Sequence, residues 1–184
     1  SGSTEVLKRM LRRYSRDDYF ACLARLRAAV PGLSVTTDII VGFPGETDEH
    51  FEETLSAVRE AGFTDAFMFK FSPREGTPAT RMPAEWTVSD EVAADRMARL
   101  IDTVRGIARA RNIALLGRTV EVLVEREARR GDLMQARTRD FRTVLVPGDA
   151  TLLGHYLTVR LTGTTGSTFT GAVAPARSAL PRAV

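Results

Sequence analysis

Apolar positions recur along this chain with two periods. The first two-thirds alternate short β-branched runs with stretches of near-3.6 spacing, and from about residue 117 only a period of two remains. Ile39-Ile40-Val41 gives way to Gly42, Pro44 and Gly45 and then to Asp48 and Glu49, an order that predicts a buried strand, a tight turn and an acidic helix start. The helix over 48–61 turns Phe51, Leu55 and Val58 inward, with Gly62 as its stop. Residues 65–71 form the next strand, with Ala66, Met68 and Lys70 opposed to Phe67, Phe69 and Phe71; Phe67 and Phe69 are expected in the core. Upstream, a helical turn around Val6, Leu7 and Met10 precedes Ser15 and Asp18, the spacing of an acidic capping box. The stripe Tyr19, Cys22, Leu23, Leu26 and Val30 then predicts a helix closed by Pro31-Gly32, with Cys22 a small core residue. A proline-rich loop at 72–83 leads to a long helix over 89–115.

The period-two segments are Val120, Val122 and Val124, then 133–138, 142–146, 156–161 and 168–173, with turns at Gly131-Asp132, Pro147-Gly148-Asp149 and 163–166. Five short strands in so few residues predict a small closed barrel of the OB-like kind. The expected organisation is an α/β segment over 1–116, an all-β barrel over 117–174 and a disordered tail over 175–184.

Composition narrows the function classes. Of 184 residues 43% are hydrophobic and 27% charged, ordinary values for a globular protein. No apolar run is long enough to span a bilayer and no charged-then-apolar leader is present, so a cytoplasmic protein without membrane partners is expected. The single cysteine, Cys22, excludes an internal disulfide and a cysteine-ligated cluster made by this chain alone. His50, among acids in a first helical turn, is expected at the surface. Charge is uneven: residues 1–116 hold 16 Lys/Arg against 17 Asp/Glu, and 117–184 hold 10 against 6. The positive excess falls on the barrel, where Arg137, Arg139, Phe141 and Arg142 gather basic groups around an aromatic. That combination suits phosphate pairing and base stacking, against the plainer reading of a charged loop with Phe141 tucked inward.

Several stretches resemble one family. Val41-Gly42-Phe43-Pro44-Gly45-Glu46-Thr47 is similar to the fifth-strand motif of the radical-SAM methylthiotransferases. Ser1-Gly2-Ser3 before Val6-Leu7-Lys8-Arg9-Met10 resembles their fourth-strand exit, and the stretch from Phe71-Ser72-Pro73 to Ala79 their sixth. Residues 117–173 resemble the TRAM domain, the small barrel at the family's C-terminus. The nearest branch adds a methylthio group to C2 of N6-isopentenyladenosine at position 37 of tRNA, next to the anticodon.

The resemblance implies the C-terminal half of a radical-SAM partial (β/α) barrel followed by a TRAM barrel. It implies S-adenosylmethionine (SAM) as cofactor, held by Ser1, Ser3, Asp38, Val41, Gly42, Phe43, Ser72 and Pro73. It also implies two [4Fe–4S] clusters whose ligands are absent from this chain, so that the chain alone is inactive and works with a missing N-terminal half. A tRNA anticodon stem-loop would be held through Arg137, Arg139, Phe141 and Arg142. No catalytic or metal-ligating residue is assigned. Two alternatives stand beside this reading: a methylthiotransferase acting on an aspartate of a ribosomal protein, as a sister branch does, and a stand-alone RNA-binding module without catalysis.

Overall fold

The computed structural model describes residues 1–129 and 132–174. The tail expected over 175–184 and the Gly131 part of the first barrel turn lie outside the described residues. The chain divides into two compact units, Ser1–Ala108 and Arg109–Val184.

The first unit is built around two strands. β1 (Thr36–Val41) and β2 (Asp65–Lys70) pair in parallel, from Thr36 against Asp65 to Val41 against Lys70. Parallel neighbours need a crossover, which α3 (Asp48–Ala61) supplies. α1 (Thr4–Arg9) and α2 (Arg16–Ala29) precede the strands, and α4 (Asp90–Ile113) follows them, the division between units falling within it. Ile39, Val41, Ala66, Phe51, Leu55, Val58, Leu100 and Val104 form the buried core, so β1 and β2 are covered on one face. α2 opens on the Ser15–Asp18 capping box, and α3 ends at Gly62 in the left-handed conformation. His50 caps α3: its Nδ1 accepts the Thr47 N–H at 3.2 Å, and its own N–H donates to Thr47 Oγ1 at 3.3 Å.

Two core expectations are corrected. Cys22 is exposed, and so are Leu26 and Val30. α2 meets the core along the narrower line of Tyr19, Phe20 and Leu23, which turns position 22 outward. Phe67 and Phe69 are also exposed, at 60% and 51%. They share the face of Asp38 and Ile40, opposite the one that Ala66 and Met68 turn to the helices.

The second unit is a closed five-stranded barrel of β3 (Thr119–Glu127), β4 (Leu133–Thr138), β5 (Thr143–Pro147), β6 (Tyr156–Thr164) and β7 (Thr168–Val173). The order around it is β3-β4-β5-β7-β6, with β5 and β7 parallel and the other pairs antiparallel. Alternation decides the interior: Val122, Val124, Met134, Ala136, Val144, Val146, Val159, Leu161 and Phe169 point in and are buried. Gly171 is needed for close packing, because a Cβ there would meet Val144 at 3.0 Å. This is the OB-like barrel that the spacing of apolar positions predicts.

Candidate cofactor cradle and nucleic-acid interface

The exit of β1 is a buried loop. Val41, Gly42, Phe43 and Pro44 are all buried, and Gly42 takes a φ of 73° that favours glycine. The exits of the two strands lie together: the Phe71 N–H donates to the Val41 carbonyl at 2.8 Å, and the Phe43 and Phe71 rings meet edge-on at 5.1 Å. Ser72 and Pro73 follow directly and are exposed.

Ser1-Gly2-Ser3 is pressed against α3. The Gly2 N–H donates to Thr54 Oγ1 at 3.0 Å, and the Ser3 N–H to Ser1 Oγ at 3.1 Å. A Cβ on Gly2 would stand 2.6 Å from the Glu53 carbonyl, so only glycine permits this approach. Ser3 is 1% exposed and its hydroxyl has no partner, which leaves a buried donor and acceptor for a further group. Asp38 stands apart from the loop, three residues upstream. It lines a cavity of about 80 Å³ with Ser1, Tyr14, Phe20 and Thr54.

Glu46 holds these parts in place, and sequence reasoning assigned it no role. Its side chain is fully buried, and Oε1 accepts from the Gly42 N–H at 3.0 Å and from Arg96 Nη1 at 3.0 Å. Arg96 Nη1 also donates to the Glu46 carbonyl at 3.1 Å, and Nη2 to Asp48 Oδ1 at 2.7 Å. Burial pushes the Glu46 carboxyl above its ordinary value of 4.5, while the Gly42 N–H and the Arg96 charge pull it back. Glu46 Oε2 and Arg96 Nε remain buried without partners. Beside them a groove of about 610 Å³ passes Arg9, Gly45, Thr47, Trp86 and Val92, with the Arg9 guanidinium 5.0 Å from the Trp86 ring centre.

On the barrel, the four residues singled out from the sequence lie along β4 and the turn after it. Arg137 Nε donates to both Glu125 carboxylate oxygens at 2.9 Å, and its Nη1 to the Phe141 carbonyl at 3.1 Å. Arg139 pairs with Glu121 at 2.8 Å and stays 85% exposed. The Arg142 side chain is only 16% exposed; it binds Asp140 at 2.6 Å and donates to Asn112 Oδ1. Phe141 is 79% exposed with a φ of 65°. The turn therefore presents the ring outward rather than into the core. Tyr156, 66% exposed, is a second outward aromatic that carried no signal beyond its place at a strand start.

Two family models match the chain. Residues 1–58 match the Radical SAM superfamily, and residues 114–173 match the TRAM domain. The class is thus a radical SAM segment joined to a TRAM barrel. The chain is 46% identical over 172 residues to the tRNA-2-methylthio-N(6)-dimethylallyladenosine synthase of Geobacillus kaustophilus, covering 93% of this chain and 32% of that protein. Proteins of the same name from Moorella thermoacetica (43% over 163 residues, 88% and 36%) and Clostridium novyi (40% over 174 residues, 94% and 38%) are similar to it as well. Likeness of this extent makes the chain similar to one part of those enzymes, a radical SAM segment followed by a TRAM domain. It spans about a third of the length of the curated relatives it matches.

Proposed function

We propose that the chain is the C-terminal part of a tRNA methylthiotransferase that installs a methylthio group at C2 of an N6-dimethylallyl-type adenosine beside the anticodon. The observation that carries this is the identity of 40–46% over most of the chain to relatives bearing that name. The outward arginine and aromatic groups of the barrel favour an RNA substrate over a ribosomal protein. A tRNA substrate is met in the cytoplasm, and among the described residues no helix is long and apolar enough to cross a membrane.

The strand exits suit SAM. The partnerless Ser3 hydroxyl and Ser1 would meet its polar end, Val41, Gly42 and Phe43 would back the adenine, and Ser72 and Pro73 would offer backbone to its edge. Asp38, upstream on the open face, is the outlying member of this set. Bound there, SAM supplies the radical precursor and the methyl group. The residues of this chain bind and orient it, and Glu46 keeps the Gly42 amide fixed while they do so.

Iron–sulfur clusters do not fit this chain. It has one cysteine, exposed, where a SAM-binding cluster takes three thiolates, and no group of three or more candidate ligands occurs among the described residues. Anaerobic reconstitution of residues 1–184 is therefore expected to leave no stoichiometric iron and sulfide after desalting. A cluster retained on the monomer would contradict this reading.

The function itself is tested on the whole reading frame that contains this chain. The protein is made anaerobically and incubated with SAM, reductant and tRNA carrying N6-dimethylallyladenosine, and the nucleosides are analysed by mass spectrometry. Formation of the 2-methylthio nucleoside is expected. A methylthiolated ribosomal-protein aspartate in its place, or tRNA binding without turnover, would replace the proposal with one of its alternatives.

A further inference from the structure

We infer that the outer face of β4, β3 and β6 is a stacking platform for unpaired RNA bases. Phe141 and Tyr156 are its two rings, Arg139 is its phosphate contact, and Arg137 is the residue that positions Phe141. The inference rests on reading the chain as an RNA-handling protein. It assigns the work to a different set of side chains from the arginine cluster visible in the sequence.

Register places the parts. Leu123 of β3 is paired with Arg137 of β4 on one side and with Tyr156 of β6 on the other. All three side chains therefore leave the barrel on its outer face. Two strand spacings put the Arg137 and Tyr156 positions about 10 Å apart. Half-buried Leu123 lies between them.

The Phe141 ring is held outward. A bulky residue is strained at a φ of 65°, yet three hydrogen bonds fix the turn there. The Phe141 N–H donates to the Thr138 carbonyl at 3.0 Å, the Thr138 N–H to the Arg142 carbonyl at 3.0 Å, and Arg137 Nη1 to the Phe141 carbonyl at 3.1 Å. An aromatic group kept in a strained turn and in water contributes nothing to the core. A π-face presented this way fits an unstacked base.

The arginines divide by commitment. Arg142 is nearly buried and engaged with Asp140 and Asn112, so it braces the turn. Arg137 spends its fork on Glu125 and the Phe141 carbonyl. Arg139 alone among the three is well exposed, and its pair with Glu121 is of the solvated kind that exchanges readily for a phosphate. Glu121, its partner, stands two residues before Leu123 on β3 and so on the same outer face, which brings the Arg139 pair to the platform. Binding is then dominated by stacking, with a log–log salt slope of about −0.7 to −0.9 for one phosphate rather than the −2 to −3 of three.

The test uses residues 1–184 and a fluorescein-labelled tRNA anticodon stem-loop, read by anisotropy over a salt series, with a fully paired RNA duplex as control. Phe141→Ala and Tyr156→Ala are each expected to weaken stem-loop binding roughly 5- to 100-fold with the slope unchanged, and Tyr156→Phe to retain it. Arg139→Ala should remove most of the slope. Arg137→Ala should weaken binding as Phe141→Ala does and add nothing to it in the double variant. Full affinity in both aromatic alanine variants, each verified as folded by circular dichroism, would overturn the platform and leave RNA binding standing. A wild-type slope of −2 or steeper would overturn the division among arginines. No binding of the stem-loop at any salt would remove the RNA reading itself.

Discussion

Glu46→Ala is expected to destabilise the first unit by about 3–5 kcal/mol, the cost of removing one member of a buried ion pair. The alanine leaves Arg96, 4% exposed, with the main-chain carbonyl of residue 46 and, as its one carboxylate, Asp48, whose side chain is 84% exposed, and it strips the Gly42 N–H of its acceptor. Arg96→Ala should cost a similar amount, because it leaves the Glu46 carboxylate in an apolar site with a single backbone donor. The double variant should fall well short of the sum, since each single change already breaks the same pair. Urea unfolding followed by a probe in the first unit measures all three. Additive losses would mean that the two residues act independently.

Glu46 also gives the unit a pH dependence of definite sign. Its folded carboxyl titrates above 4.5 because burial disfavours the charge. Between 4.5 and that raised value the folded state binds more protons than the unfolded state. Stability contributed by this group is therefore present below 4.5 and is lost as pH rises through the folded value. Glu46→Gln keeps an acceptor for Gly42 and should flatten this part of the profile. Arg96→Ala removes the charge that opposes the shift and should widen the window.

Phe169→Ala should cost the barrel about 3–5 kcal/mol, as expected for a large aromatic removed from a closed core. Phe169 is fully buried beside Val144, its cross-strand partner on β5, and Gly171 on the same strand leaves little side-chain volume to collapse into the space. We place the domain boundary near residue 117, with the barrel folding on its own. Calorimetry should then show two transitions, with only the barrel's moving in this variant. Limited proteolysis should leave a resistant fragment beginning near 117 in the unmutated chain. If both transitions shift together, the two units unfold as one and the boundary fails.

Local order was legible wherever one stretch of chain carried the whole signal. The run from Thr36 to Thr47 specifies its strand, turn and helix start through β-branched residues, glycines, a proline and a cap, all within twelve positions. Barrel alternation was legible for the same reason, but the strand order was not, because nothing local in the sequence places β7 between β5 and β6. What failed was the choice of face. Alternation in Asp65–Lys70 separates two sets of side chains but does not say which set is covered, and the helices cover Ala66 and Met68 rather than Phe67 and Phe69. Cys22 was misplaced because a helical stripe admits neighbouring rotations, and α2 rests on a narrow line. The Glu46–Arg96 pair was missed because its members are 50 residues apart. Tyr156 was missed because only the pairing of both strands with β3 puts it on the same face as Arg137.

The left-handed turn at Phe141 sets a trap for anyone engineering this protein. Glycine is the residue that this backbone accepts without strain, and Phe141→Gly should relieve about 1 kcal/mol of it. A selection for heat resistance or soluble yield would therefore enrich glycine at 141, and a consensus built for sturdiness would do the same. The variant would express well, melt later and look improved by every assay of folding. It would also lack one of the two rings of the proposed stacking platform. Any stabilised version should be chosen on RNA retention as well as on melting temperature, because at this position the two criteria select opposite residues.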